Sequence, residues 1–285
     1  MDQTSPPVAA LGTRAGVVQS AAPDPSSQPS RAWRGDWLFL LQNLILKDFR
    51  TRYRNMSLGI FWSLLNPIVM MGVLTFIFTK IFPTKAVDHF VLFILCGLVP
   101  YNFFSMAWLA GTTSVVNNYP LIKRVPIPRE IIPVSSVLAT CIHLFIQIGL
   151  LLGLLFYFGV PPNRYWIWLP YIWGMEIIFV CGLSLLTSAM HVYMRDTRYL
   201  VEVANTILFW MVPIFYDFSA IPSTYRNLYK LNPLAALILA LRDILLKAQP
   251  PRWELLVKLT SVSLAMLFVG LLAFRRLRTR FYDYL

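Results

Sequence analysis

The chain has 285 residues, of which 57% are hydrophobic and only 13% charged, with a formal net charge of +12 and a mean hydropathy of +0.61. That composition excludes an ordinary soluble domain and reads as an integral membrane protein. The Lys and Arg excess does not indicate nucleic acid as a partner, because the basic residues collect at the ends of apolar runs, where membrane topology and anionic lipid account for them.

Residues 1–35 are rich in Pro, Ala, Ser and Gln and lack an uninterrupted apolar core. They are expected to be a disordered tail and not a cleaved signal peptide. From Asp36 to Arg54 (interface helix, 36–54), Leu41, Leu44, Ile45, Phe49 and Tyr53 recur at helical spacing, opposed by Asn43, Lys47, Arg50 and Arg54. This predicts an amphipathic helix in the membrane interface, with Lys47, Arg50, Arg52 and Arg54 toward lipid headgroups. A cytoplasmic extension of the first span is the alternative.

Six apolar stretches follow, at roughly 58–82, 90–113, 134–158, 166–190, 199–216 and 255–274. Most reach the ~20 residues needed to cross hydrocarbon; the fifth is the shortest and ends at Pro213. An even number of crossings puts both termini on one side. The basic residues Lys47, Arg50, Arg52, Arg54, Lys123, Arg124, Arg129, Arg195, Arg198, Arg275, Arg276, Arg278 and Arg280 make that side the cytoplasm. The first two outer loops carry only Lys80, Lys85 and Arg164.

Between the second and third stretches lies a polar island, Asn117 to Pro133. Pro120, Pro126, Pro128 and Pro133 forbid one continuous helix, while Leu121 to Val125 can still form about one turn. The island therefore reads as a short cytoplasmic helix fixed between two spans and available to a soluble partner.

The last outer segment breaks the charge bias with Arg226, Lys230, Arg242, Lys247, Arg252 and Lys258. Within it, Leu234, Leu237, Ile238, Leu241 and Leu245 form one apolar face, Asn232 is placed to cap and Pro233 suits the first helical position. A helix of about 14 residues is too short to cross. Together with Ser219 to Tyr229 it predicts a re-entrant outer hairpin, tolerable at that depth only when packed against protein or a cavity. An amphipathic helix on the outer surface is the alternative.

Little here resembles catalytic machinery. Asp88, Asp217 and Asp243 are scattered, His89, His143 and His191 lie far apart, and Cys96, Cys141 and Cys181 fall singly within apolar segments. No metal site, catalytic residue or phosphate-binding loop can be assembled from them, so the chain is expected to be no enzyme and to hold no cofactor. Glu176 is a lone carboxylate inside the fourth stretch, where ionisable groups are functional candidates. With His143 and Gln147 opposite, it reads either as a proton relay or as an interhelical hydrogen-bond contact. Aromatic residues are 15% of the chain. Trp166 and Trp168 suit an interfacial belt, whereas Trp62, Tyr101, Asn102, Phe103, Phe104, Trp108, Phe209, Trp210, Phe215 and Tyr216 are candidates to line a pathway along which sugar faces slide. Core packing is the competing reading for each ring.

The run Asp48 to Pro67 (DFRTRYRNMSLGIFWSLLNP), the block Gly97 to Phe104 (GLVPYNFF), the island Leu121 to Glu130 (LIKRVPIPRE), the turn Arg195 to Tyr199 (RDTRY) and Leu231 to Leu234 (LNPL) resemble the ABC-2-type permeases that export polysaccharides, in order over 36–285. The resemblance implies an all-α inner-membrane homodimer of six-span subunits, paired with two copies of a separate ABC ATPase that holds the ATP and Mg. Its implied cargo is an undecaprenyl-pyrophosphate-linked polysaccharide, O-antigen foremost, with capsule and teichoic acid as relatives. On that pattern residues 120–130 form the coupling helix, with Leu121, Ile122, Lys123, Arg124, Arg129 and Glu130 toward the ATPase. Residues 219–246 form the outer gate helices, including Asn232, Pro233, Arg242 and Asp243. Two other classes compete: a membrane glycosyl- or acyltransferase acting on lipid-linked glycans, which lacks an acid cluster, and an ion-driven carrier, for which Glu176 is the only foothold.

Overall fold

The computed structural model describes residues 36–54, 61–81, 89–124, 127–218, 221–222 and 232–281. The expected tail, 1–35, and nearly all of the first arm of the outer hairpin lie outside these residues. The described chain is an all-α polytopic membrane protein, with no strand among the described residues.

Helix α1 spans Trp37–Tyr53 and is capped by Asp36, whose carboxylate accepts from the Leu38 amide at 2.9 Å. Helix α2, Trp62–Phe76, runs into a π-helical turn, Ile77–Ile81. Helix α3 is Phe90–Asn117, and the island forms α4, Tyr119–Arg124, before α5, Ile131–Tyr157. The end of α5 is a Schellman closure. Gly159 adopts φ 74°, the Gly159 amide donates to Phe156 at 3.1 Å, and the Val160 amide donates to Leu155 at 3.0 Å. A 3-10 turn, Arg164–Trp168, leads into α6, Leu169–Tyr193, which is followed by α7, Thr197–Met211. The last two helices are α8, Pro233–Leu245, and α9, Trp253–Leu277.

Helix α3 is the centre, packed along α5 and α6 and also touching α2, α7 and α8. Of its apolar window 72% is buried, against 11% for Leu64–Ile81 of α2. Helix α2 is the least enclosed of these: Leu74 is buried and Met70 and Met71 pack partly on the core, while Leu65, Ile68, Val69, Val73 and Phe76 are exposed. Lipid supplies little hydrophobic drive between helices, so close approach through small residues does the work. At the α6–α9 crossing Gly182 and Gly270 meet backbone to backbone. A Cβ on Gly270 would lie 2.1 Å from the Gly182 carbonyl oxygen. Gly111 plays the same part between α3 and α6, where an added Cβ would meet Ser184 Oγ at 2.3 Å.

Five helical stretches among the described residues are long and apolar enough to cross a membrane: Leu64–Ile81, Phe90–Asn117, Ile131–Tyr157, Arg164–Tyr193 and Trp253–Leu277. They match five of the six expected stretches. The remaining one, 199–216, differs, because its helix stops at Met211. Pro213 lacks an amide hydrogen and turns the residue before it away from helical geometry. Fifteen residues give α7 a length of roughly 22 Å. The chain continues through the buried, irregular Val212–Phe215. The helix expected over 232–246 also differs in one respect: every residue from Leu234 to Leu245 is buried. An apolar helix enclosed on all sides replaces the one-faced helix that the outer-surface alternative required.

Candidate functional site

At one end of the bundle the polar island forms α4 from Tyr119 to Arg124, starting two residues before the expected Leu121 and including Pro120; Val125 and Pro126 lie outside the described residues. Asn118 ends α3, and its carbonyl accepts from Leu121 and Ile122 at 3.0 and 3.1 Å, which starts α4 with a sharp turn. Six residues are too few for an autonomous helix; α4 is held by what lies beneath it. Ile122, 6% exposed, enters a small second core with Val115, Ile127, Ile132, Leu185, Ala189, Val192, Phe274 and Phe281. Lys123 and Arg124 project from this platform and are exposed, Lys123 lying 4.3 Å from the Tyr119 ring centroid.

Arg129 and Glu130, expected to act beside them, are engaged elsewhere. The Arg129 guanidinium donates to the Arg278 carbonyl at 2.7 Å, and the Glu130 carboxylate pairs with the Arg278 guanidinium. Of the six expected coupling residues, Leu121 and Ile122 form the seat, Lys123 and Arg124 the outward face, and Arg129 and Glu130 the tie to the C-terminal turn.

Helix α1 lies against α5 with Leu44 buried. Its inward face carries polar groups too. Asp48 accepts from Ser136 at 2.7 Å and pairs with Lys47 at 3.1 Å, and Lys47 also donates to the Asn118 side chain. These groups line a cleft of about 320 Å³ with Thr51, Arg52, Ser114 and Asn117. Arg50 and Arg54 are exposed. Arg52 differs: the helical repeat puts it on the same face as Leu44 and Asp48, so it lines the cleft.

The aromatic residues divide by depth. Tyr101, Phe103, Phe104 and Trp108 are buried. Phe104 stacks on Phe179 at 6.1 Å, Tyr101 meets Phe209 edge-on at 5.3 Å and donates to the Asn205 carbonyl, and the Trp108 indole donates to Thr187 at 3.2 Å. For these four the packing reading holds in the protomer. Phe215 is buried against Phe78 at 5.2 Å. Trp62 and Trp210 are exposed, while Asn102, Phe209 and Tyr216 are half-buried.

At the other end, Asn232 caps α8 by accepting from the Leu234 amide at 3.0 Å, with Pro233 first in the helix. Arg242 is only 3% exposed. One guanidinium nitrogen donates to the Ile214 carbonyl at 2.6 Å and to the Phe93 carbonyl at 3.2 Å, and the group lies 3.4 Å over the Phe93 ring. Gly97 lets the irregular segment approach α3 here: an added Cβ would be 3.1 Å from Ile214 Cα. Arg242 thus joins α8, α3 and the break after α7. Beside it, buried Asp243 pairs with Lys247 at 2.9 Å and Arg252 at 3.3 Å.

Glu176 is 1% exposed, and neither carboxyl oxygen has a hydrogen-bond partner among the described residues. The interhelical hydrogen bond from Glu176 to His143 or Gln147 is therefore not formed. The three cysteines are free and buried, and no group of His, Cys, Asp and Glu among the described residues is arranged to hold a metal. Sequence reasoning missed Arg278 and Phe281 as supports of α4, since nothing in a terminal basic run indicates a partner 148 residues earlier.

These features define a polytopic helical membrane protein with a cationic helix wedged between two long apolar helices and a buried short helix tied into the opposite end. The chain belongs to the ABC-2 type transporter family, whose profile matches residues 40–246. It is similar to the O-antigen export system permease protein RfbA of Klebsiella pneumoniae, with 30% identity over 88% of this chain and 95% of that one. The protein of the same name from Myxococcus xanthus is 27% identical over 85% of this chain and 94% of its own. The polysialic acid transport protein KpsM of Escherichia coli is 24% identical over 82% of this chain and 92% of its own.

Proposed function

We propose that this chain is the membrane-spanning permease subunit of an inner-membrane exporter that carries an undecaprenyl-pyrophosphate-linked polysaccharide, O-antigen foremost, to the outer side. A separate ATPase subunit, present in two copies with ATP and Mg, drives a homodimer of this chain. The observation that carries the reading is α4. A six-residue helix with one face seated in a packed core and Lys123 and Arg124 on the other suits a lever pushed by a soluble subunit.

Both termini are cytoplasmic in this proposal. Helix α7 with the segment to Phe218 serves as the fifth of six crossings, and α8 as the second arm of the outer gate. Exposed Leu200, Val203, Ile207 and Trp210 on α7, together with the little-buried α2, support a passage shared between two copies. Within that passage the sugar-facing rings are Trp62, Phe209, Trp210 and Tyr216, with Asn102 beside them. Arg50 and Arg54 meet lipid headgroups at the entrance.

Two experiments test this. Deleting the gene is expected to remove the surface glycan and leave its lipid-linked form inside the cell; an unchanged surface would reject the export role. Lys123→Glu with Arg124→Glu is expected to leave protein yield intact and abolish export, whereas normal export would reject the assignment of α4.

A further inference from the structure

We propose that the C-terminal turn, Arg278–Phe281, is a positioning element that fixes α4 to α9 and so ties the coupling helix mechanically to the buried helix α8. The proposal rests on the reading of α4 as the coupling helix. Its first observation is that α4 is too short to hold its own place, and only Ile122 of it is buried. Much of what lies under Ile122 comes from the end of the chain: Phe274 and Phe281 are both fully buried, edge-on at 5.5 Å, in the core that Ile122 and Ile127 complete.

The second observation concerns the turn that follows α9, where the Arg278 carbonyl accepts from the Phe281 amide and side chains from two other segments add further donors. Tyr193 at the end of α6 donates to the Leu277 carbonyl at 2.6 Å, and Arg129 donates to the Arg278 carbonyl at 2.7 Å. Arg278 returns the contact by pairing with Glu130, and the Arg129 guanidinium lies 5.9 Å from the centre of the Phe281 ring. The segment after α4 is thus joined to α9 by a hydrogen bond, an ion pair and a shared core.

The third observation is that α9 has little freedom along its length. It is pinned in its C-terminal half by the Gly182–Gly270 approach, and at its start Leu255 packs with Ala236 and Leu239 of α8. A continuous 25-residue helix, roughly 37 Å long, therefore connects α4 to α8. A displacement of α4, carried by Ile122 in the shared core and by the segment that follows it, would reach α8 through this one helix.

The test uses Arg278→Glu, Glu130→Arg, the double exchange, and Phe281→Ala. Spin labels at Arg124→Cys and Leu264→Cys, in purified protein in lipid nanodiscs without any ATPase, report the distance between α4 and α9. A single narrow distribution is expected for the parent, broadened in each single variant and narrowed again in the double exchange. Export per ATP hydrolysed in the full complex is expected to fall about threefold or more in Arg278→Glu, the factor such a pair represents, and to recover in the double exchange. Unchanged distances in both Arg278→Glu and Phe281→Ala would overturn the proposal, as would a double exchange no better than its singles. Because the distances need no ATPase, they decide this point even where Lys123→Glu with Arg124→Glu leaves export intact and the coupling reading itself fails.

Discussion

Replacing Arg242 by Met tests whether the guanidinium holds the outer end of the bundle together. Methionine keeps most of the side-chain length and packs on the Phe93 ring, so the change removes chiefly the bonds to the Ile214 and Phe93 carbonyls. Each charge-assisted bond is worth about 1.5–3 kcal/mol, and a buried carbonyl left unpaired costs about 1–3 kcal/mol. Against this, the Nε and Nη1 groups of Arg242 have no hydrogen-bond partner among the described residues, and their burial cost disappears with the side chain. The balance is a net loss of about 1–3 kcal/mol, which for a chain of this size lowers an apparent melting midpoint by roughly 5 °C. Arg242→Lys keeps the charge but not the planar fork and is expected to fall between. The assay is thermal unfolding of the purified protein in detergent, followed by intrinsic fluorescence. A Met variant as stable as the parent, or more so, would refute the reasoning.

The remaining expectations concern other helices. Gly270→Ala forces the α6 and α9 backbones apart, since its Cβ would fall 2.1 Å from the Gly182 oxygen. It is expected to cost about 1–3 kcal/mol, read in the same assay, while Gly149→Ala, mid-helix in α5 with open space around it, is expected to leave stability unchanged or raise it by up to about 1 kcal/mol. Glu176→Met replaces an unpartnered buried carboxyl by an apolar group of similar length and is expected to preserve or raise stability. A sharp loss of yield would contradict that, and loss of export at full yield would restore Glu176 to the transport path. Asn232→Ala removes the cap of α8 and is expected to cost about 1 kcal/mol; no shift in midpoint would count against the cap.

The parts legible in the sequence were those governed by local rules. The prolines around residues 120–133 dictate a short helix between breaks, Asn232 and Pro233 mark the start of α8, and hydropathy places five of the long helices. The rest depended on contacts distant in sequence. Arg242 reads as one more basic residue on an outer helix until α3 and the break after α7 close around it. Arg52 shares a helix with Arg50 and Arg54, and only the packing of α1 on α5 distinguishes its side. Rings at Tyr101, Phe103, Phe104 and Trp108 look the same in sequence whether they line a passage or fill a core, because both demand apolar surface. Glu130 and Arg278 are an acid and a base on different elements whose pairing no periodicity encodes.

In the proposed exporter α4 presents its cationic face to the cytoplasm, where an ATPase subunit engages it. The direct measurement places a cysteine at Arg124 and probes it with a membrane-impermeant maleimide, a test made clean by the burial of Cys96, Cys141 and Cys181. Rapid labelling is expected in inverted vesicles, with protection when the ATPase is bound and no labelling in intact spheroplasts. Labelling from the outer face of intact spheroplasts would contradict it.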